Sequence, residues 1–210
     1  MADRTFTASE ALSAYELAGQ YFLSAVRTID SEQWDLPGLG EWNVRELVAH
    51  TVRAFRTVDQ YLDGTVRDDT PLASAAEYFR MVLAEDEPHI HIAVRARREA
   101  PDLGDDPIAV AEALAEEAVR TAGRTSATAL AHTFVGVIGL PDYLATRVVE
   151  LVVHTLDLAA ALGLDLAVPP LPARMAVQVL NDLVHDDDLG DVLLALTGRS
   201  DLLVGLNALA

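Results

Sequence analysis

The stretch from Pro141 to Gly163 constrains this chain more than any other part of it. Wound as a helix at about 100° per residue, it places Arg147, Glu150, His154 and Asp157 within an arc of roughly 80°. Every other position from Val148 to Leu162 is apolar except Thr155. A helix that is apolar nearly all round is buried. Four ionisable side chains are then pressed into an interior where an unpartnered charge costs on the order of several kcal/mol. They must pair with one another or share a bound cation.

Capping signals mark the helices that would surround this segment. Thr7-Ala-Ser-Glu10 reads as a capping box opening a helix to about Asp30, with apolar positions at Leu12, Tyr15, Ala18, Phe22 and Val26. Asn43-Val-Arg-Glu46 reads as a second box, heading a helix that ends at Gly64. Asp106-Pro107 supplies a cap and a first-turn proline for a third, closed by Gly123. Pro141-Asp142 opens the fourth, which stops at Gly163. Between the second and third, Asp68 to Gly104 holds helical patterns around Leu72–Ala84 and again after Pro88, and reads as an insertion packed on the bundle. Ala129–Ile138 reads as an extended connection. The proline-rich Val168–Pro172 reads as a linker into a helical piece from Ala173 to about Leu196. The predicted architecture is all-α: an antiparallel four-helix bundle over residues 1–165, with a helical insertion and a short C-terminal helical extension over 166–210 packed on it.

Composition narrows the function classes. With 51% hydrophobic and 23% charged residues among 210, the chain is neither disordered nor collagen-like. The longest uncharged stretch, Thr125 to Pro141, falls short of a membrane span. The first residues are polar and acidic with no apolar core of a signal peptide, so a soluble, cytoplasmic protein is expected. Acidic residues number 33 against 15 basic, giving −18, and every basic residue is arginine. Such a chain repels phosphate backbones, so neither nucleic acid nor an anionic membrane is an expected partner. There is no cysteine. That excludes disulfides, protein thiolate nucleophiles and cysteine-ligated zinc, and any thiol chemistry needs a thiol from outside.

Glu150 and His154, spaced i, i+4, set a carboxylate beside an imidazole on adjacent turns, a spacing that suits a divalent metal. His50, on the flank of the second helix's apolar stripe beside Leu47 and Ala54, is a candidate third ligand. Two histidines and one glutamate leave coordination positions open, as catalytic rather than structural sites do. The same spacing also describes a plain ion pair, with Arg147–Glu150 as an i, i+3 pair and His50 as a hydrogen-bonded core residue. Spacing alone leaves both readings open.

The combination Trp34-Asp-Leu-Pro37, Trp42-Asn-Val-Arg-Glu-Leu-Val-Ala-His50 and Arg147-Val-Val-Glu-Leu-Val-Val-His-Thr-Leu-Asp157 resembles the mycothiol-dependent maleylpyruvate isomerase family, within the DinB-like metal-binding four-helix bundles. The similarity runs over about residues 8–165, with a weaker echo in Leu193–Arg199. It implies that His50, Glu150 and His154 ligate a divalent metal, zinc by expectation, and that a low-molecular-weight, mycothiol-like thiol is the cosubstrate. An ion with open positions depresses the pKa of a bound thiol, and the thiolate is the nucleophile. Addition to an activated double bond, rotation and elimination would give isomerisation; keeping the adduct would give S-transfer to a small electrophile. Asp157, one turn beyond His154, is expected to orient the imidazole. Arg147 either binds a substrate carboxylate or neutralises Glu150, the second being the preferred reading. The alternative is a non-catalytic metal-binding bundle acting as a sensor or partner-binding protein. Homodimerisation is left open.

Other residues receive plainer readings. His89 and His91 are expected at the surface or in packing, His132 in the connection and His185 at a solvated helix end. Arg95, Arg97 and Arg98 form a basic cluster that could receive an anionic substrate or partner, an exposed salt-bridged face being the preferred reading. Trp34 and Trp42 read as packing residues near the start of the second helix.

Overall fold

The computed structural model describes residues 5–62, 70–84 and 88–201, with Pro88 and His89 described by backbone alone. Local capping chemistry starts the helices where the sequence predicts. Helix α1 (Ala8–Val26) begins where the Thr7 hydroxyl accepts the Glu10 N–H at 3.3 Å. Helix α2 (Val44–Thr51) carries the full reciprocal box: Asn43 accepts from the Glu46 N–H at 2.8 Å, and Glu46 accepts from the Asn43 N–H at 3.1 Å. The expected continuous second helix is instead broken at Val52, after which α3 (Arg53–Tyr61) resumes. Two β-branched residues meet there, and the Thr51 hydroxyl donates back to the Leu47 carbonyl at 2.8 Å; Thr155 makes the same bond inside the unbroken α7, so the bond alone does not cause the break. The predicted end at Gly64 lies outside the described residues.

Two further helices complete the bundle. Helix α6 (Pro107–Arg124) is capped by Asp106, which accepts from Ala109 at 3.0 Å, and runs one residue past Gly123. Helix α7 (Leu140–Leu162) ends at Gly163, whose φ of +66° is the left-handed cap that glycine adopts without strain. Around the bundle, α1 packs on α7 and α6, while α3 packs on α6 and α7. The ring thus closes as α1, α6, α2–α3, α7. Tyr15, Phe22, Phe55, Leu47, Leu144, Leu151 and Leu158 fill its centre with almost no exposure, each large aliphatic or aromatic side chain contributing roughly 1.5–3 kcal/mol by leaving water. Buried hydroxyls are matched inside: Tyr15 donates to the Ala54 carbonyl at 3.0 Å, and Tyr143 donates to Thr57 at 2.8 Å.

The insertion does more than pad the outside. Its helix α4 (Ala75–Leu83) lies on α7, and α5 (Pro88–Glu99) lies on α2. Together they roof the flank of the bundle where α2 and α7 meet. A 3-10 turn at Ala100–Leu103 leads back to α6. The connection read as extended is a two-stranded hairpin, β1 (Leu130–Thr133) against β2 (Gly136–Gly139), and Leu72 joins its outer edge through an N–H bond to Val137 at 2.7 Å. The Val168–Pro172 segment is less of a linker than expected. Its prolines lie at the start of α8 (Pro170–Asn181), where a missing N–H costs nothing. Helix α8 packs on α7 and α1 through Met175, Ala176 and Val179. The expected single C-terminal piece then divides at a 3-10 turn over Asp186–Asp188 into α9 (Leu189–Leu196), whose leucines 193, 194 and 196 are exposed. Among the described residues no helix is long and apolar enough to cross a membrane.

Candidate metal centre

Helix α7 delivers Glu150 and His154 to one point because residues four apart stack on one face. His50 arrives from the last turn of α2, just before the break at Val52. The Glu150 carboxylate oxygen Oε2 sits 3.4 Å from His154 Nε2 and 3.6 Å from His50 Nε2. One donor atom from each of the three lies within 4.8 Å of the others, a cluster of the size that one metal ion takes. The two imidazoles meet edge to face with centroids 4.8 Å apart. Side-chain exposures of 10% for His50, 16% for His154 and 24% for Glu150 leave the group sheltered but reachable.

Asp157 Oδ2 lies 3.0 Å from His154 Nδ1. A carboxylate accepts here, so Nδ1 carries a proton and Nε2 is the nitrogen turned toward Glu150 and His50; in the metal-free chain Nε2 is protonated as well, and an ion would displace that proton. With Nδ1 held by Asp157, Nε2 is the nitrogen left to ligate a metal. On the other side, the Trp42 indole stacks behind the His50 ring at 4.9 Å and 37°. The packing role read for Trp42 therefore includes holding a candidate ligand. His50 Nδ1 is buried and has no hydrogen-bond partner among the described residues.

The charges of the metal-free chain reflect this crowding. Burial opposes the charge of Glu150, yet the hydrogen bonds from His154 and His50, with the charge of Arg147, hold its carboxyl well below the usual range. Burial likewise opposes a charged His154, but its bonds to Asp157 and Glu150 push its pKa up to about 9. Burial moves His50 the other way, below the usual histidine value. A site that concentrates this many opposed effects is a functional candidate on physical grounds.

Arg147 does not form the i, i+3 ion pair with Glu150 that the sequence favours. It is 7% exposed, donates from Nε to the Thr146 hydroxyl at 3.1 Å and from Nη2 to the Tyr78 hydroxyl at 3.5 Å. Its guanidinium lies over the Tyr78 ring at 5.6 Å and the Tyr143 ring at 5.2 Å. Two ring faces can hold a desolvated cation at about 2 kcal/mol or more per contact. The arginine thus stays near Glu150 and influences it across space while its fork remains free of any described carboxylate.

A cavity of about 250 Å³ opens over the cluster. His50, Glu150, His154 and Arg147 line one side. Tyr78, Phe79, Val82 and Leu83 from α4, with Ile92 and Arg95 from α5, line another, and Leu39 and the hairpin-tip Phe134 rim it. Tyr78, Phe79 and Phe134 carry no motif, and only the docking of the insertion and the hairpin brings them in. Of the basic cluster, Arg97 and Arg98 form the expected salt-bridged face, with Glu41 at 2.8 Å and Glu99 at 3.6 Å, whereas Arg95 lines the cavity. His132 lies in β1 and is not among the lining residues, and His91 and His185 are exposed. The side chain of His89 lies outside the described residues.

This geometry can be set beside known proteins. The crystal structure of the mycothiol-dependent maleylpyruvate isomerase is similar at 17% identity and a TM-score of 0.49, over 85% of this chain and 68% of that one. No curated protein matches the chain. The family model of the mycothiol maleylpyruvate isomerase N-terminal domain matches residues 15–159, a span that holds His50, Arg147, Glu150, His154 and Asp157. With more than half of its length matched, the chain belongs to the mycothiol maleylpyruvate isomerase N-terminal domain family.

Proposed function

We propose that this protein is a metal-dependent enzyme that uses a low-molecular-weight thiol, of the mycothiol kind, to isomerise a small electrophile or transfer sulfur to it. The observation that carries the reading is the convergence of His50, Glu150 and His154 on one point at the edge of a cavity. The donor set fits a divalent ion, zinc by preference: two imidazole nitrogens and one carboxylate oxygen, with the His154 ring held by Asp157 so that Nε2 faces the other two. A bound ion of this kind supplies a Lewis acid that favours the thiolate over the thiol.

The chain's own groups have definite tasks in this reading. His50, Glu150 and His154 hold the ion, and Asp157 and Trp42 fix the two rings that do so. Arg147, braced on Tyr78 and Tyr143, keeps a positive charge beside the reacting groups and can receive developing negative charge or a substrate carboxylate. The apolar wall of Phe79, Val82 and Ile92 excludes water, so charges inside act at greater strength. Sulfur adds to an activated double bond, the former double bond rotates, and elimination returns the thiol; where elimination fails, the adduct is the product. The family description agrees with thiol dependence.

The test is to load the protein with zinc and supply mycothiol, bacillithiol or glutathione with a panel of conjugated carbonyl electrophiles, following isomer and adduct. Activity that requires ion, thiol and electrophile together supports the proposal. Stoichiometric metal with no thiol requirement for any electrophile would overturn it in favour of a non-catalytic metal-binding bundle.

A further inference from the structure

The three arginines of α5 have different fates. Arg97 reaches Glu41 and Glu46, and Arg98 reaches Glu99, all on the outside of the molecule. Arg95 turns instead to the cavity that holds the His–Glu–His cluster. Its Nε is buried and has no hydrogen-bond partner among the described residues. Nor is any described carboxylate within ion-pair distance of it: Glu99, one turn along the same helix, is taken up by Arg53 at 2.8 and 2.9 Å. A half-buried guanidinium with its inner edge unbonded is costly unless a ligand completes it. Its planar fork of donors matches a carboxylate.

The rest of the cavity agrees. Arg147 also lines it without a described carboxylate partner, while the one lining carboxylate of the cluster, Glu150, lies between two imidazoles. The cavity therefore carries positive charge in excess, inside a protein whose net charge is −18. Arg147 is braced on its two tyrosine rings, whereas Arg95 has neither a carboxylate nor a ring stacked on it among the described residues. We propose that Arg95, contributed by the insertion, binds a carboxylate of a small ligand and so sets the site's specificity for carboxylate-bearing molecules. The assignment rests on reading this cavity as the substrate pocket.

The experiment measures binding rather than turnover, by titration calorimetry on metal-free and zinc-loaded protein. The probes are succinate, its half-amide succinamate and its uncharged diamide. Metal-free protein is included because a carboxylate could otherwise coordinate an ion. Wild type is expected to bind succinate at least about tenfold more tightly than the diamide in both forms, as hydrogen bonds to charged groups allow. Arg95→Gln should remove about tenfold of that preference, Arg95→Lys should restore part of it, and Arg97→Gln should leave it within about twofold. Helix content of each variant is checked by circular dichroism, and Arg95→Lys serves where Arg95→Gln does not fold. Equal affinity of wild type for succinate and diamide, or an unchanged preference in Arg95→Gln, would overturn the proposal. Elemental analysis of the same samples separates the two readings: a carboxylate preference that depends on Arg95 in a protein that takes up no zinc sinks the metal enzyme and leaves this assignment standing.

Discussion

Helices α2 and α7 form one wall of the cavity and α4 and α5 the other, and the two walls hold their charges differently. On the bundle wall every ionisable group is answered locally. Glu150 lies between two histidines, His154 is held by Asp157, and Arg147 rests on two tyrosine rings. On the insertion wall the lining is apolar and aromatic, and its one cavity-facing cation, Arg95, has no such answer among the described residues. Core helices are fixed by packing on several sides, so their polar groups can be preorganised against one another at little further entropic cost. A helix laid on the outside has fewer constraints, and its free donor points to what enters from solvent. The bundle wall is suited to hold an ion, and the insertion wall to choose what meets it.

The sharpest way to break this division is on the bundle wall. His154→Ala should abolish stoichiometric metal binding while most helix content remains, because the helix is held by its apolar faces and not by the cluster. Elemental analysis checks it, and one tightly bound ion per variant chain would show that the walls have been assigned wrongly.

Packing gives the next contrast in size. Leu151, fully buried on α7, should cost about 2–5 kcal/mol when truncated to alanine. Val82, half-buried on α4, should cost under about 1 kcal/mol on the same change. Chemical denaturation of both variants measures the difference, and equal losses would mean that the insertion is as deeply built in as the bundle.

Asp157→Asn sharpens the comparison without breaking it. Its amide cannot hold the His154 ring as a carboxylate does, so zinc affinity should fall about 10- to 100-fold with little change in the fold. A competition titration against a chelator of known affinity reads this directly.

The smallest expected effect lies where the walls join. Asp142, in the first turn of α7, accepts from the Ala75 N–H of α4 but keeps its Oδ1 buried without a partner among the described residues. Burial pushes its pKa up from 3.8 to about 6, against the pull of that backbone bond. A carboxyl with a raised folded pKa favours the fold while protonated and loses that contribution as pH rises through about 6. Asp142→Asn should therefore stabilise the protein at pH 7 by about 1 kcal/mol after allowance for solvent screening, and by almost nothing near pH 4. Urea midpoints at the two pH values test the sign; a gain at the lower pH and none at the higher would refute it.

Much of the bundle wall was legible in the residues themselves. A helix apolar on nearly all sides has to be buried, and its four ionisable residues at spacings of three and four have to share a face; both follow from periodicity alone. Caps at Thr7, Asn43 and Asp106 and the stop at Gly163 are equally local, since each satisfies backbone groups within a turn. What the residues around Arg147 do not specify is which neighbour wins it. Glu150 is adjacent on the helix, but Tyr78 comes from an element that only docking brings close. Nor does the sequence show the break at Val52: helix propensity is a weak prior, and a threonine back-bond like that of Thr51 leaves α7 unbroken at Thr155.

By itself, then, the sequence determined most of the helices, the buried face of α7 and the shared face of Glu150 and His154, because these depend on contacts a few positions apart and on the cost of burying charge; that His50 meets them is a contact between distant elements, which spacing left open. Only the tertiary structure decided that Arg95 leaves its cluster to face the cavity, that Arg147 rests on tyrosines, and that Trp42 backs His50. Those outcomes depend on how an insertion and a hairpin settle on the bundle, and contacts between elements far apart in the chain leave no periodicity to read.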